Sequence, residues 1–223
     1  MLSATYRSAA EINSAMIRVY QNMMLAIIVS MLTSFVVSTV PALMAVLFGT
    51  PLKWLVMLAP LGFILFFSFK IETLSKETAT TLLYVFAALM GLSFSGIFIV
   101  YTSASIFMAF MGAAILFGCM TFYGYFTKRS LESFGQFLII GLIAIVIASI
   151  VNIFVGSSVM TTVISALAIL IFLGLTAYDT QRIREMVSYD NAGNAEVAGA
   201  LSLYLSFINI FLNLLQLFGN RNE

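Results

Sequence analysis

Residues 200–219 read ALSLYLSFINIFLNLLQLFG, and this stretch decides what kind of molecule the chain is. No charge falls between Val197 and Asn220. The run is nevertheless not purely apolar. Ser202, Ser206, Asn209, Asn213, Gln216 and Asn220 recur at spacings of 4, 3, 4, 3 and 4. On an α-helix those intervals put all six on one face. About 20 apolar residues suffice to cross a hydrocarbon core of ~30 Å. A polar stripe on such a helix is costly against lipid. The stripe therefore predicts a helix enclosed by others, lining a path or a packed polar seam inside a membrane protein.

The helix before it carries the second feature. Residues 172–183 read FLGLTAYDTQRI, with Asp179 at the end of the apolar run 163–177. No other acid lies between Glu132 and Asp179. The pattern predicts a polar loop over Thr180–Ala195, with Asp179 near a helix C-terminus. There the helix dipole opposes a carboxylate by about 0.3–1 kcal/mol. Arg182, three residues on, Arg184 and Lys70 are its candidate charge partners.

Composition agrees with a membrane assignment. The chain is 62% hydrophobic and 9% charged, with a mean hydropathy of +1.09. Soluble domains carry roughly 25% charged residues. The expected fold is an all-α integral membrane protein of seven transmembrane helices with helix seven central. Net charge is +1, which gives no basis for a nucleic-acid partner. Histidine is absent, which excludes His-based zinc sites and Ser–His or Cys–His catalysis. No catalytic residue, metal site or cofactor is expected, and the chain does not read as an enzyme. The stretch GLSFSG at 91–96 reads as helix packing through small residues. The single cysteine, Cys119, reads as a small buried hydrophobe.

Charges and breakers set the helix count. Residues 19–52 hold no charge, and Pro41 and Gly49-Thr50-Pro51 break the run. This gives a first span near 21–42, a short apolar connection and a second span near 52–69. The uncharged block 78–127 holds two spans with a turn at Tyr101–Ser105. Block 133–178 holds two more, split near Val155–Ser158. The seventh covers about 197–217. The organisation expected is a cytoplasmic segment 1–20, a transmembrane domain 21–217 and a short tail 218–223. The N-terminal stretch lacks the features of a cleaved signal peptide, so the first span is retained. With the N-terminus inside, Arg7, Arg18, Lys70, Lys76, Lys128, Arg129, Arg182 and Arg184 fall on the inner side. Lys53 and Arg221 then fall outside. That bias places the N-terminus in the cytoplasm and the C-terminus outside. Pro60 lies mid-span in the second helix and predicts a kink beyond ~20°, a candidate hinge.

Several of these segments, in order, resemble the Bax inhibitor family, the transmembrane Bax-inhibitor-motif proteins, and its bacterial members above all. They are YFTKRSLESFG at 125–135, GLTAYDTQRI at 174–183 and ALSLYLSFINIFLNLLQLFG at 200–219, with 88–101 and 148–158 also similar. The resemblance implies six helices around a seventh, in the bacterial inner membrane. It also implies a pH-sensitive calcium leak in which two aspartates share a proton and latch the cytoplasmic end. Asp179 matches the first aspartate. The second falls on Ser206, and a basic residue common further along helix seven falls on Gln216.

The substitution matters physically. Two adjacent carboxylates raise one another's pKa and create a proton switch. A serine hydroxyl can hydrogen-bond a carboxylate but does not share a titrating proton with it. The expectation is a calcium-permeable leak with altered or weakened pH gating, unless Glu196, Asp190, Glu72 or Glu77 replaces the missing acid. The alternative implied by the resemblance is a membrane interaction protein. It would modulate a membrane-anchored ATP-dependent protease or a stress response, without ion transport.

Overall fold

The structure, a computed structural model, describes residues 7–189 and 193–222, apart from the side chains of Ser68 and Glu72. Its elements are α1 (Ala9–Ser38), α2 (Pro41–Gly49), α3 (Leu52–Lys70), a 3-10 turn (Ile71–Thr73), α4 (Lys76–Phe94), α5 (Ile97–Val100), α6 (Ser103–Phe126), α7 (Glu132–Val155), α8 (Ser158–Tyr189) and α9 (Asn194–Phe218). Among the described residues, six helices are long and apolar enough to cross a membrane, α4 counting as one with α5. The pair α2 and Leu52–Phe67, bent by 81° at the Gly49–Pro51 break, makes a seventh when counted as one span. The chain is an all-α integral membrane protein.

Local chemistry explains where the helices depart from the expected spans. Ser8 caps α1: its hydroxyl accepts from the Glu11 N–H, and the Glu11 carboxylate accepts from the Ser8 N–H at 2.7 Å. This capping box starts the helix at Ala9, well before the uncharged run that suggests residue 21. Pro41, at the first turn of α2, makes the apolar connection a helix in its own right. At the other end of the chain, α8 does not stop at Asp179. It runs on to Tyr189, so most of the predicted Thr180–Ala195 loop is helix. Asp179 is therefore ten residues from the helix end, too far for the terminal dipole to act on it.

The chain divides into two compact units. The first comprises Met1–Tyr101, Met186–Tyr204 and Asn222–Glu223; the second comprises Thr102–Glu185 and Leu205–Arg221. In the first, α1 and α4 touch closely. A Cβ on Gly91 would stand 2.6 Å from the Ser30 carbonyl oxygen and 2.7 Å from Thr33 Cβ, so this crossing needs glycine. Ser30 donates to the Ala87 carbonyl and shares a 2.7 Å hydrogen bond with the Tyr204 hydroxyl. Phe63, Phe86 and Tyr204 form an aromatic chain with centroid separations of 5.6 and 5.9 Å.

Pro60 is also in this unit. α3 is one helix through it, and the pronounced bend lies upstream. Proline has no N–H, so the carbonyl of Val56, one turn back, loses its helical partner. The Ser93 hydroxyl of α4 donates to that carbonyl at 2.6 Å. A backbone acceptor in hydrocarbon needs such a substitute.

In the second unit α7 and α8 form an antiparallel pair with steady register. Gly135 faces Tyr178, Gly174 faces Leu138 and Gly141 faces Ile171. Asn152 donates to Thr161 at 2.7 Å near the turn. Gly156 makes that turn with φ of +68°, a conformation that glycine adopts without steric cost. Gly124 of α6 abuts the main chain of Ala177. Phe110 and Phe117 of α6 meet Phe207 edge-on at 5.4 and 5.7 Å. Of the six long helices α9 is the most buried: 61% of its 18-residue apolar window, against 6–33% in the other five. Cys119, expected inside, is exposed on α6.

Candidate functional site

The polar stripe of α9 meets a cavity in the second unit. Its volume is about 560 Å³. Asn209, Asn213 and Gln216 of α9 line it, with Ser149 and Asn152 of α7 and Ser158, Thr161 and Ser165 of α8. Leu142, Ile145, Val146, Ile164, Ala168 and Phe172 supply apolar wall. No charged residue is among the lining. Along α8 the cavity extends from Ser158 to Phe172, fourteen residues or about 21 Å of helix rise. That is roughly two-thirds of a ~30 Å hydrocarbon core.

The side chains around it are held by short hydrogen bonds. Ser165 Oγ donates to Gln216 Oε1 at 3.0 Å. Asn209 Nδ2 donates to the Leu205 carbonyl and Asn213 Nδ2 to the Asn209 carbonyl, both at 2.8 Å. Ser149 Oγ donates to the Ile145 carbonyl at 2.8 Å. At the turn Asn152 accepts from the Ser157 N–H while donating to Thr161, which fixes the rim.

Neither Asp179 nor Ser206 lines the cavity. Asp179 is 9% exposed and Ser206 4%. On α8 Asp179 follows the last lining residue, Phe172, by seven positions, about 10 Å of rise. On α9 Ser206 precedes Asn209 by one turn. Between Phe172 and Asp179, Leu175, Thr176 and Ala177 are buried. Thr176 turns its hydroxyl back to the Phe172 carbonyl at 2.7 Å. Of the remaining stripe residues, Ser202 is half-buried in the first unit. Asn220 lies past the end of α9. Its main chain accepts from the Thr102 N–H at 3.1 Å and donates to Ser105 Oγ at 2.9 Å.

Arg184 donates to the Tyr125 carbonyl at 3.3 Å and stands 4.9 Å over the Tyr125 ring. Arg182 is exposed, and Lys70 is exposed at the end of α3. Glu196 has no exposed surface and sits in the first unit among three cations. Arg18 holds it through Nε at 2.8 Å and Nη2 at 2.7 Å, Lys76 at 2.8 Å and Arg7 at 3.8 Å. Arg7 also donates to the Val187 carbonyl at 3.1 Å. Among the proposed replacement acids, Asp190 lies outside the described residues, as does the side chain of Glu72. Glu77 is in the first turn of α4.

Two parts of this geometry lie outside the sequence-based expectations. The Glu196 cluster joins residues 120 and 178 positions apart, and no local pattern announces it. The α7 and α8 contributions to the cavity do leave a trace. Ser149 and Asn152, at i and i+3, and Thr161 and Ser165, at i and i+4, lie among mostly apolar neighbours.

Comparison with known proteins bears on this architecture as a whole. Residues 12–223 match the family model described as "Inhibitor of apoptosis-promoting Bax1". The "Inner membrane protein YbhL" of Escherichia coli (strain K12) is 38% identical over 219 residues, covering 95% of this chain and 94% of that protein. An uncharacterized protein of Rickettsia prowazekii is 39% identical over 214 residues, 93% and 90% of the two chains. One from Borreliella burgdorferi is 36% identical over 217 residues, 95% and 94%. A match that spans every described helix, from the first turns of α1 to the tail beyond α9, means that this chain belongs to the Bax inhibitor family.

Proposed function

We propose that this protein is a calcium-permeable cation leak of a bacterial inner membrane, with a path that follows the polar face of α9. The supporting observation is the deep cavity lined only by uncharged groups, three of them from that face. Polar side chains at this depth are expensive unless they meet water or one another. In the orientation set by the lysine and arginine bias, the cavity opens to the outer side and Asp179 and Ser206 mark the closed inner side. The structure is then the shut state. The "inner membrane protein" of Escherichia coli supports the compartment.

In this reading Ser206 weakens pH gating. A single carboxylate lacks the like-charge partner that splits a coupled pair's titration. Calcium flux into proteoliposomes tests both parts. Flux through the natural chain is expected to change little between about pH 6 and 8, and Ser206→Asp to add a pH-dependent component. A steep native titration abolished by Asp179→Asn would show that an acid elsewhere completes the latch. Folded protein that carries no cation at any pH overturns the leak. That outcome favours a modulator of another membrane protein, such as a membrane-anchored protease.

A further inference from the structure

We infer that the cavity of the second unit is a binding site for a monovalent cation of potassium size, formed by neutral side-chain oxygens of α7 and α9. The inference rests on the cavity being part of the leak path and names which ion that path holds. It starts from where the donors go. The Ser149 hydroxyl and the Asn209 and Asn213 amides each spend a hydrogen on a main-chain carbonyl of their own helix. Ser165 spends its hydrogen on Gln216. A hydroxyl has one hydrogen and two lone pairs, and an amide oxygen has two lone pairs and no hydrogen. Each of the two amides keeps a second N–H, yet in Ser149, Asn209 and Asn213 the remaining oxygen lone pairs outnumber the remaining hydrogens, with the two amides one turn apart on α9. Such a surface attracts a cation and repels an anion.

The charge of the preferred cation follows from what is missing. No carboxylate lines the cavity. Calcium gives up its water for six to eight oxygens, and affinity is set by how many of them carry charge. Neutral oxygens alone do not offset the dehydration of a divalent ion, which grows with the square of the charge. A large monovalent ion dehydrates more readily, and neutral carbonyl oxygens are sufficient for it in potassium-selective filters. The site thus holds a potassium-like ion, while calcium crosses the same space with its water shell kept.

Thallous ion is the probe, because it substitutes for potassium. The full chain in phosphatidylcholine nanodiscs is dialysed to equilibrium against a thallous salt. Saturable binding is expected, displaced by potassium and not by equal calcium. Replacing both Asn209→Leu and Asn213→Leu should weaken binding about ten-fold or more. The pair Asn209→Ser and Asn213→Ser, which keeps the oxygens, should retain it, as should Ser93→Ala in the other unit. Should the leucine pair not fold, Asn213→Asp gives an independent reading: one added carboxylate must turn the preference toward calcium. The inference is overturned by the absence of saturable thallous binding, by binding unmoved in the folded leucine pair, by displacement with calcium ahead of potassium, or by no change of preference in Asn213→Asp. Failure of the leak reading looks different: thallous ion binds as described, and neither it nor calcium enters proteoliposomes.

Discussion

Glu196 is the residue whose surroundings differ most from what its position suggests. An acid in the first turn of a helix is ordinarily a dipole complement at the surface. Here it is closed off from solvent, and its carboxylate takes both a paired Arg18 contact and Lys76. Removing one member of a buried ion cluster strands the rest, at a cost of about 3–5 kcal/mol when all are buried. The Arg18 and Lys76 side chains are 44% and 35% exposed, so water screens part of the loss. Glu196→Gln is therefore expected to cost about 2 kcal/mol, read as a lower thermal-unfolding midpoint of the purified protein. A midpoint equal to the native one would mean that the cluster is incidental. Nothing in the sequence around Glu196 shows these contacts, because Arg7, Arg18 and Lys76 all come from the first part of the chain, far from it in sequence.

At the scale of elements, sequence and structure diverge where charge reads as a sign of helix end. Arg182, Arg184 and Glu185 suggest a loop after Asp179, yet α8 continues through them to Tyr189. Charge reports where a helix leaves hydrocarbon, not where its hydrogen bonds stop. The reverse holds at Asn220, which keeps the stripe's period although α9 ends at Phe218. Pro60 shows a third kind of gap: its chemistry is legible, its partner is not. The freed Val56 carbonyl is satisfied by Ser93 from the next helix, and the pair is expected to be energetically coupled. Ser93→Ala should cost about 1–2 kcal/mol in the native background. In a Pro60→Ala background, where the restored main-chain N–H can bond the Val56 carbonyl, the same change should cost nearly nothing. A double-mutant cycle on thermal unfolding measures the difference. Additive costs would mean that the bond does no more than occupy space.

Over the whole molecule, the membrane class and the breaks at Pro41, Gly49–Pro51, Tyr101 and Gly156 are legible, because apolar run length and helix breakers act locally. Six spans follow from them, and a seventh where the pair bent at Gly49–Pro51 is counted as one, with its pronounced bend there rather than at Pro60. The division into units is not legible, since it depends on which distant helices touch. The first unit draws on residues 1–101 and again on 186–204. The carboxylate that Arg7, Arg18 and Lys76 share thus belongs to α9, made 120 residues or more after each of them. Until α9 is made, the three cations lack this carboxylate and the first unit lacks the α9 part of its 186–204 segment. A chain stopped after Tyr189 retains every one of these cations and lacks the acid they share. Such a chain is expected to be cleared from the membrane faster than the chain that carries α9 in a pulse-chase, and equal lifetimes would show that assembly does not wait for α9.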